Sequence, residues 1–290
     1  MTTTTRDYLL MHLVVAAWGF TAILGKLITL PAVDVTIWRT GVAAACFALL
    51  ARFTGGQKIS ASQALRFAAV GAVLGIHWVL FFLATRLSTA SVCLAAMPTA
   101  MLWSSLIEPL IDGTRKWRAL ELLVGLMMVG AVWIIYQVEF SYWKGFTVAI
   151  IAAVLAAVFA VMSKQQVGAC HWSRIGAWQM LGAFIAAFLS RPLFETGFWP
   201  VVPVGPDRLW IGILAIFCTV AAYAGFMKAL RQMSVFSMNV IYNLEPVYGI
   251  ILAALIFGSS EFMSPGFYFG ASIIIASVVS LPWLRKVVEA

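Results

Sequence analysis

The segment NVIYNLEPVYG carries the first chemical signal in this 290-residue chain. Asn239, Tyr242 and Glu245 follow at i, i+3 and i+6, the spacing that places them on one stripe of a helix, with Asn243 alongside. Pro246, beside the carboxylate, cannot donate a backbone N–H and frees a carbonyl about one turn earlier. A carboxylate, a phenol and amides on one face can hold a polar solute or carry a proton. The plainer reading is a glutamate hydrogen-bonded between helices. His77, in GIHWVLFF, is a second titratable group, able to carry a proton or simply to donate a hydrogen bond. Arg39, in TIWRTG, and Lys26 are cations suited to an anionic group such as a carboxylate, or to neutralising Glu245. Lys26 has the plainer reading of a side chain reaching to an interface. Trp18 and Tyr223 are aromatic candidates for a cavity wall, with ordinary packing as the alternative. Glu108, also followed by a proline, pairs in expectation with Lys164 as a gate element; a solvated carboxylate at a helix end is the competing reading.

The elements that must position these groups follow from composition. Hydrophobic residues make up 63% and charged residues 10%, against about 45–50% and about 25% in soluble domains. Neither a soluble fold nor a disordered chain has that balance; the chain belongs in a bilayer. Windows of about 20 apolar residues predict an all-α polytopic membrane protein with ten spans, near 8–29, 36–53, 64–85, 90–110, 118–137, 145–164, 174–190, 209–229, 234–257 and 265–284. The seventh is the least apolar. The first is longer than the apolar core of a signal peptide and lacks a small-residue cleavage site, so it is expected to persist as a span. With the N-terminus inside, thirteen Lys and Arg fall on the cytoplasmic side and five outside, with Arg39 within a span. That asymmetry places both termini in the cytoplasm and the protein in the cytoplasmic (inner) membrane. The net charge of +8 matches anionic headgroups; spread over many loops, it does not read as a nucleic-acid surface.

A shift of 145 positions lays Phe81, Ala84 and Arg86 on Phe226, Ala229 and Arg231, and Gly113 and Gly125 on Gly258 and Gly270. Five spans per unit is odd, so two such units, 1–139 and 140–290, would face opposite ways, an arrangement that puts a solute site at mid-membrane between them. Gly71-x-x-x-Gly75 and Gly266-x-x-x-Gly270 allow close helix approach, inside the bundle or in a homodimer. Cys46, Cys93, Cys170 and Cys218 have no paired spacing, no metal-ligand cluster or phosphate-binding loop is present, and no cofactor is expected.

Three stretches, AAWGFTAILGKLI, HWVLFFLATRLSTASVCLAAMPTAM and NLEPVYGIILAALIFG, resemble the EamA-type transporters of the drug/metabolite transporter superfamily, and the resemblance runs through essentially the whole chain. It implies ten helices in two inverted five-helix repeats, a central cavity from spans one to four and six to nine, and peripheral spans five and ten. It also implies export or exchange of amino acids and other small metabolites by alternating access. One departure is GSSEF where the family more often has GE, though Glu261 still supplies a carboxylate. The expected activity is secondary transport of a small organic metabolite, with proton coupling through Glu245 or His77 as one form and obligate exchange as another. A membrane enzyme acting on lipid would carry its polar groups near one interface; a sensory membrane protein would show no saturable flux.

Overall fold

The computed structural model describes residues 5–54, 59–113 and 116–288, with the backbone alone for Phe236, Asn239 and residues 278–288. Among the described residues the chain is helical and contains no strand. α1 (Thr5–Leu27), α2 (Ala32–Phe53) and α3 (Ala61–Leu87) are unbroken; Ser60 caps α3 in a reciprocal box with Gln63. The fourth apolar stretch divides into α4 (Ala90–Ala96) and α5 (Ala100–Ile111) around a 3₁₀ turn at Met97–Thr99. α6 (Ala119–Val138), α7 (Trp143–Gln166) and α8 (Trp172–Ser190) follow. α9 (Pro206–Ala215) passes into α10 (Ala222–Gln232) through a π turn at Ile216–Ala221. α11 (Val235–Tyr242) gives way to α12 (Glu245–Phe257), and α13 (Pro265–Val288) closes the chain. Eight of these stretches are long and apolar enough to cross a membrane. α8 is not one of them, because Arg174, Gln179 and its many small residues dilute its apolar content.

Both divided stretches have proline at the break. Pro98 lies in the 3₁₀ turn, and Pro246 in the first turn of α12, where its missing N–H would have no intrahelical acceptor anyway. The single helix expected over 234–257 is therefore corrected to two. The chain turns at Asn243–Leu244, so Glu245 begins a new helix instead of continuing the stripe of Asn239 and Tyr242. A carboxylate in a first turn sits at the positive end of the helix dipole. Pro98 and Asn243 are 145 positions apart, matching the shift found in the sequence.

Cross-chain hydrogen bonds fix two ends of the bundle. One end gathers the loops after α1, α3, α8 and α12; the other gathers those after α2, α5, α7 and α10. Helix α8 packs against α2 and α3, α3 also against α7, α1 against α10 and α12, and α6 against α13. Glycine sets the tightest seams. A Cβ at Gly71 would stand 1.8 Å from the carbonyl oxygen of Gln179, and one at Gly182 would stand 1.9 Å from that of Ala68. Gly75 meets Ala183 in the same α3–α8 seam, while Gly266 and Gly270 meet Val138 and Ile135 of α6. Both glycine pairs are thus occupied within the chain and supply no argument for a dimer.

The α3–α8 seam makes a clear stability prediction. Gly71→Ala should lower the melting temperature in detergent by the equivalent of about 3 kcal/mol, since overpacking against backbone has little room to relax. Gly130→Ala, where a Cβ meets nothing within 4 Å, should be neutral or stabilising by up to about 1 kcal/mol through helix propensity.

Candidate functional site

A cavity lies where α1, α2, α3, α5, α7, α10, α11 and α12 converge; it offers about 80 Å³ to the centres of water-sized molecules, room for several waters or a small solute. Its walls are largely aromatic. Trp18 stands 5.5 Å from Phe226 and 5.8 Å from Tyr242 between ring centroids, and Phe226 stacks on Phe159 at 5.9 Å. Such walls exclude water and strengthen any charge interaction inside. α6 and α13 do not reach the cavity.

Arg39 is fully buried at the cavity. Its Nε donates to Thr219 Oγ1 at 2.6 Å, and Nη2 reaches the Cys218 carbonyl at 3.4 Å. Thr219 in turn donates to Leu214 O at 2.7 Å, an i−5 contact made by the π turn. The guanidinium carbon lies 3.8 Å from the Trp78 ring centroid, a cation–π contact. Nη1, also buried, has no hydrogen-bond partner. The π turn and Trp78 hold Arg39 inside the bundle.

Glu245 is also buried at the cavity, with the Tyr242 hydroxyl turned to its carboxyl. Its Oε2 has no hydrogen-bond partner. One guanidinium nitrogen and one carboxylate oxygen are thus left unmatched in a single apolar chamber, each at a cost of at least about 1–3 kcal/mol. His77 lines the same cavity and gives its Nδ1 hydrogen to the Ala152 carbonyl at 2.8 Å, which leaves Nε2 as the other ring position. Tyr223 also lines it and donates to Gln179 Oε1 at 2.7 Å.

Of the predicted pathway residues, Trp18, Arg39, His77, Tyr223, Tyr242 and Glu245 come together. Asn243 does not. The turn at its position swings its amide to Met101 of α5, with Nδ2 at 3.1 Å from the sulfur. The side chain of Asn239 lies outside the described residues. Gln179 went unnoticed in the sequence although it is a fully buried amide in a span; α8 stays out of the cavity and contributes through Gln179.

Lys26, an expected ion-pair or gate residue, forms its ion pair with Glu261 at 3.1 Å, near the helix end and not with Glu245. Glu261 is fully buried and accepts from the backbone N–H groups of Ala90 and Ser91 at 3.1 and 3.0 Å and from Ser91 Oγ at 2.8 Å, capping α4 from a distant loop. Two further ties close the same end. Asp207 accepts from Thr29 N and Oγ1 at 3.0 and 2.6 Å, and Arg191 grips Asp34 at 2.7 and 3.2 Å, the hydrogen bond raising the Arg191 pKa above the usual guanidinium value. At the other end Lys164 donates to the carbonyls of Leu230 and Met233; Glu108 is buried on α5 and does not line the cavity.

The model of the EamA-like transporter family matches residues 143–283. No curated protein matches the sequence. A solved structure, titled only as the crystal structure of a protein, superposes with a TM-score of 0.71 at 18% identity, covering 97% of this chain and 99% of its own. At that identity the likeness concerns the fold.

Removing the Glu261 carboxylate leaves a partly buried ammonium and the first turn of α4 without their acceptor. Glu261→Ala should lower stability by about 3 kcal/mol, and Glu261→Gln by less because one oxygen remains to accept. Thermal melts of both in the same detergent check the order.

Proposed function

We propose that this chain, whose residues 143–283 match the EamA-like transporter family, moves a small organic metabolite across the cytoplasmic membrane. The cargo is an amino acid or a solute of similar size and polarity, carried outward or in exchange by alternating access. The observation that carries this reading is the pair of unmatched buried atoms, Arg39 Nη1 and Glu245 Oε2, facing one aromatic chamber. A solute presenting an acceptor to the first and a donor to the second removes both penalties at once. Glu245, at the start of a helix that begins inside the membrane, is also the group we assign to proton coupling. Broken helices with their ends at mid-depth are how secondary transporters build such sites.

The proposed architecture is ten spans in two inverted halves, 1–139 and 140–290. Support comes from the contacts. Exchanging the first helical stretch of one half with the first of the other, and so on, turns α3 on α7 into α10 on α1, turns α5 on α7 into α12 on α1, and maps α2 on α8 and α6 on α13 onto themselves. Successive stretches run antiparallel, so an odd number per half reverses the second. The Lys and Arg asymmetry puts both termini in the cytoplasm. On that topology Glu261, Asp207 and Asp34 close the outer end, and Glu108 with Lys164 belongs to the inner one.

Transport by purified protein in proteoliposomes tests the proposal. A thermal-shift screen of amino acids, nucleosides, sugars and organic cations finds the cargo first, since a ligand at 100 times its Kd adds about 2.7 kcal/mol of stability. Flux of that cargo should saturate, and an imposed pH gradient should accelerate it. Arg39→Met should weaken apparent affinity by about 10- to 150-fold, the worth of one charged hydrogen bond. Glu245→Gln should abolish the response to the gradient. Equal, gradient-independent flux from wild type and Glu245→Gln would remove proton coupling, and no saturable flux of any solute would remove the transport assignment.

A further inference from the structure

A second site lies on the outer surface of the bundle, back to back with the cavity. Helix α10 has two faces. Tyr223, Phe226 and Leu230 look into the cavity, while Ala224, Gly225, Lys228 and Arg231 look away from it. Helix α1 divides the same way, with Met11 and Trp18 inward and Arg6, Leu9 and Leu13 outward. The two outward faces form a groove of about 710 Å³. Its floor is small because Gly225 meets Val14 of α1 where a Cβ would come within 2.7 Å. Leu9 and Leu13 stand 61% and 62% exposed on its wall.

Charge distinguishes this groove from ordinary lipid-facing surface. Arg6, Lys228 and Arg231, all exposed, converge at one end of it, and no carboxylate is among its lining residues; neighbouring Asp7 is buried. Three cations held together beside an apolar trough repel one another unless an anion joins them. Within a membrane the ligand with an anionic head and an apolar tail in the right order is a phospholipid. The groove between α2 and α8 has the same small-residue floor but only two cations, Arg52 and Arg174.

We propose that the α1–α10 groove is a binding site for one anionic glycerophospholipid, its phosphate held by Arg6, Lys228 and Arg231 and an acyl chain laid over Leu9 and Leu13. A lipid there braces the two helices that wall the cavity, so its binding and the stability of the α1–α10 seam rise together.

The test uses full-length protein in mixed nanodiscs of phosphatidylglycerol and phosphatidylcholine, with retained lipid counted by native mass spectrometry. Wild type should keep one phosphatidylglycerol in preference to phosphatidylcholine. The Arg6→Gln, Lys228→Gln, Arg231→Gln triple variant should lose on the order of 100-fold in that preference, taking about fivefold per basic residue near the headgroups. Ala224→Trp, which fills the groove and keeps its charges, should lose the lipid as well. Arg52→Gln with Arg174→Gln should leave the preference unchanged. Equal loss in that control pair would assign the effect to general surface charge, and full retention by Ala224→Trp would remove the groove; either result overturns the proposal. If the triple variant does not fold, Ala224→Trp and the control pair still decide between the two outcomes.

Discussion

The constraint on which this structure depends is the presence of an arginine and a glutamate where hydrocarbon surrounds the bundle. Each ion is costly to bury alone, and the surrounding elements are shaped to lower that cost without cancelling it. The π turn at Ile216–Ala221 brings Thr219 and the Cys218 carbonyl to Arg39, and Trp78 lies against the guanidinium. The break at Asn243–Leu244 gives Glu245 a helix N-terminus, and Tyr242 turns its hydroxyl to the carboxyl. These two departures from a regular helix therefore each coincide with a charge that needs them. What these devices leave unmatched is one nitrogen and one oxygen, which on the proposed reading a solute completes.

A different logic governs the end of the bundle where Glu261, Asp207 and Asp34 sit. Their partners lie 170, 178 and 157 positions away, so each ties the early part of the chain to the late part. All three carboxylates take hydrogen bonds from backbone donors, and Glu261 and Asp34 from a cation as well. Glu261 is the most telling: it satisfies the first N–H groups of α4, a seven-residue helix too short to be stable by itself. The latch and the broken fourth stretch are thus one unit, and on the proposed reading release of Glu261 loosens α4 as it opens that end.

Much of this was legible in the sequence, for identifiable reasons. Hydropathy is a one-dimensional signal, and the helical stretches fall close to where they were expected. Glu245, Arg39, His77, Trp18, Tyr223 and Tyr242 stood out because polar or bulky groups in apolar windows are rare, and they do meet at one cavity. Asn243 misled because a stripe at i, i+3, i+6 presumes a continuous helix, and Pro246 ends one. Lys26 does form an ion pair, but its depth in a span says nothing about which carboxylate folds against it; Glu261 lies 235 positions on. Gln179 was missed for the converse reason. Its amide carries no charge, and its role depends on Tyr223 approaching from another helix.

The seams differ in how much relative motion they permit, and the sequence determines which is which. Where α3 crosses α8, backbone touches backbone through Gly71, Gly75 and Gly182, and close-packed contacts of that kind are bistable at best, with no cushion of side chains to deform. α2 and α3 with α8 therefore act as a frame. Around the cavity the contacts are made by Trp18, Phe159, Phe226 and Tyr242, whose rings can change rotamer, and the fourth and ninth stretches are each cut in two beside it. Gly19 and Gly249 bring α1 and α12 into backbone contact just below Glu245, so a shift of that half-helix is passed to α1. If the proposed transport cycle holds, the frame stays still, the half-helices move, and the carboxylate sits on the element that couples them.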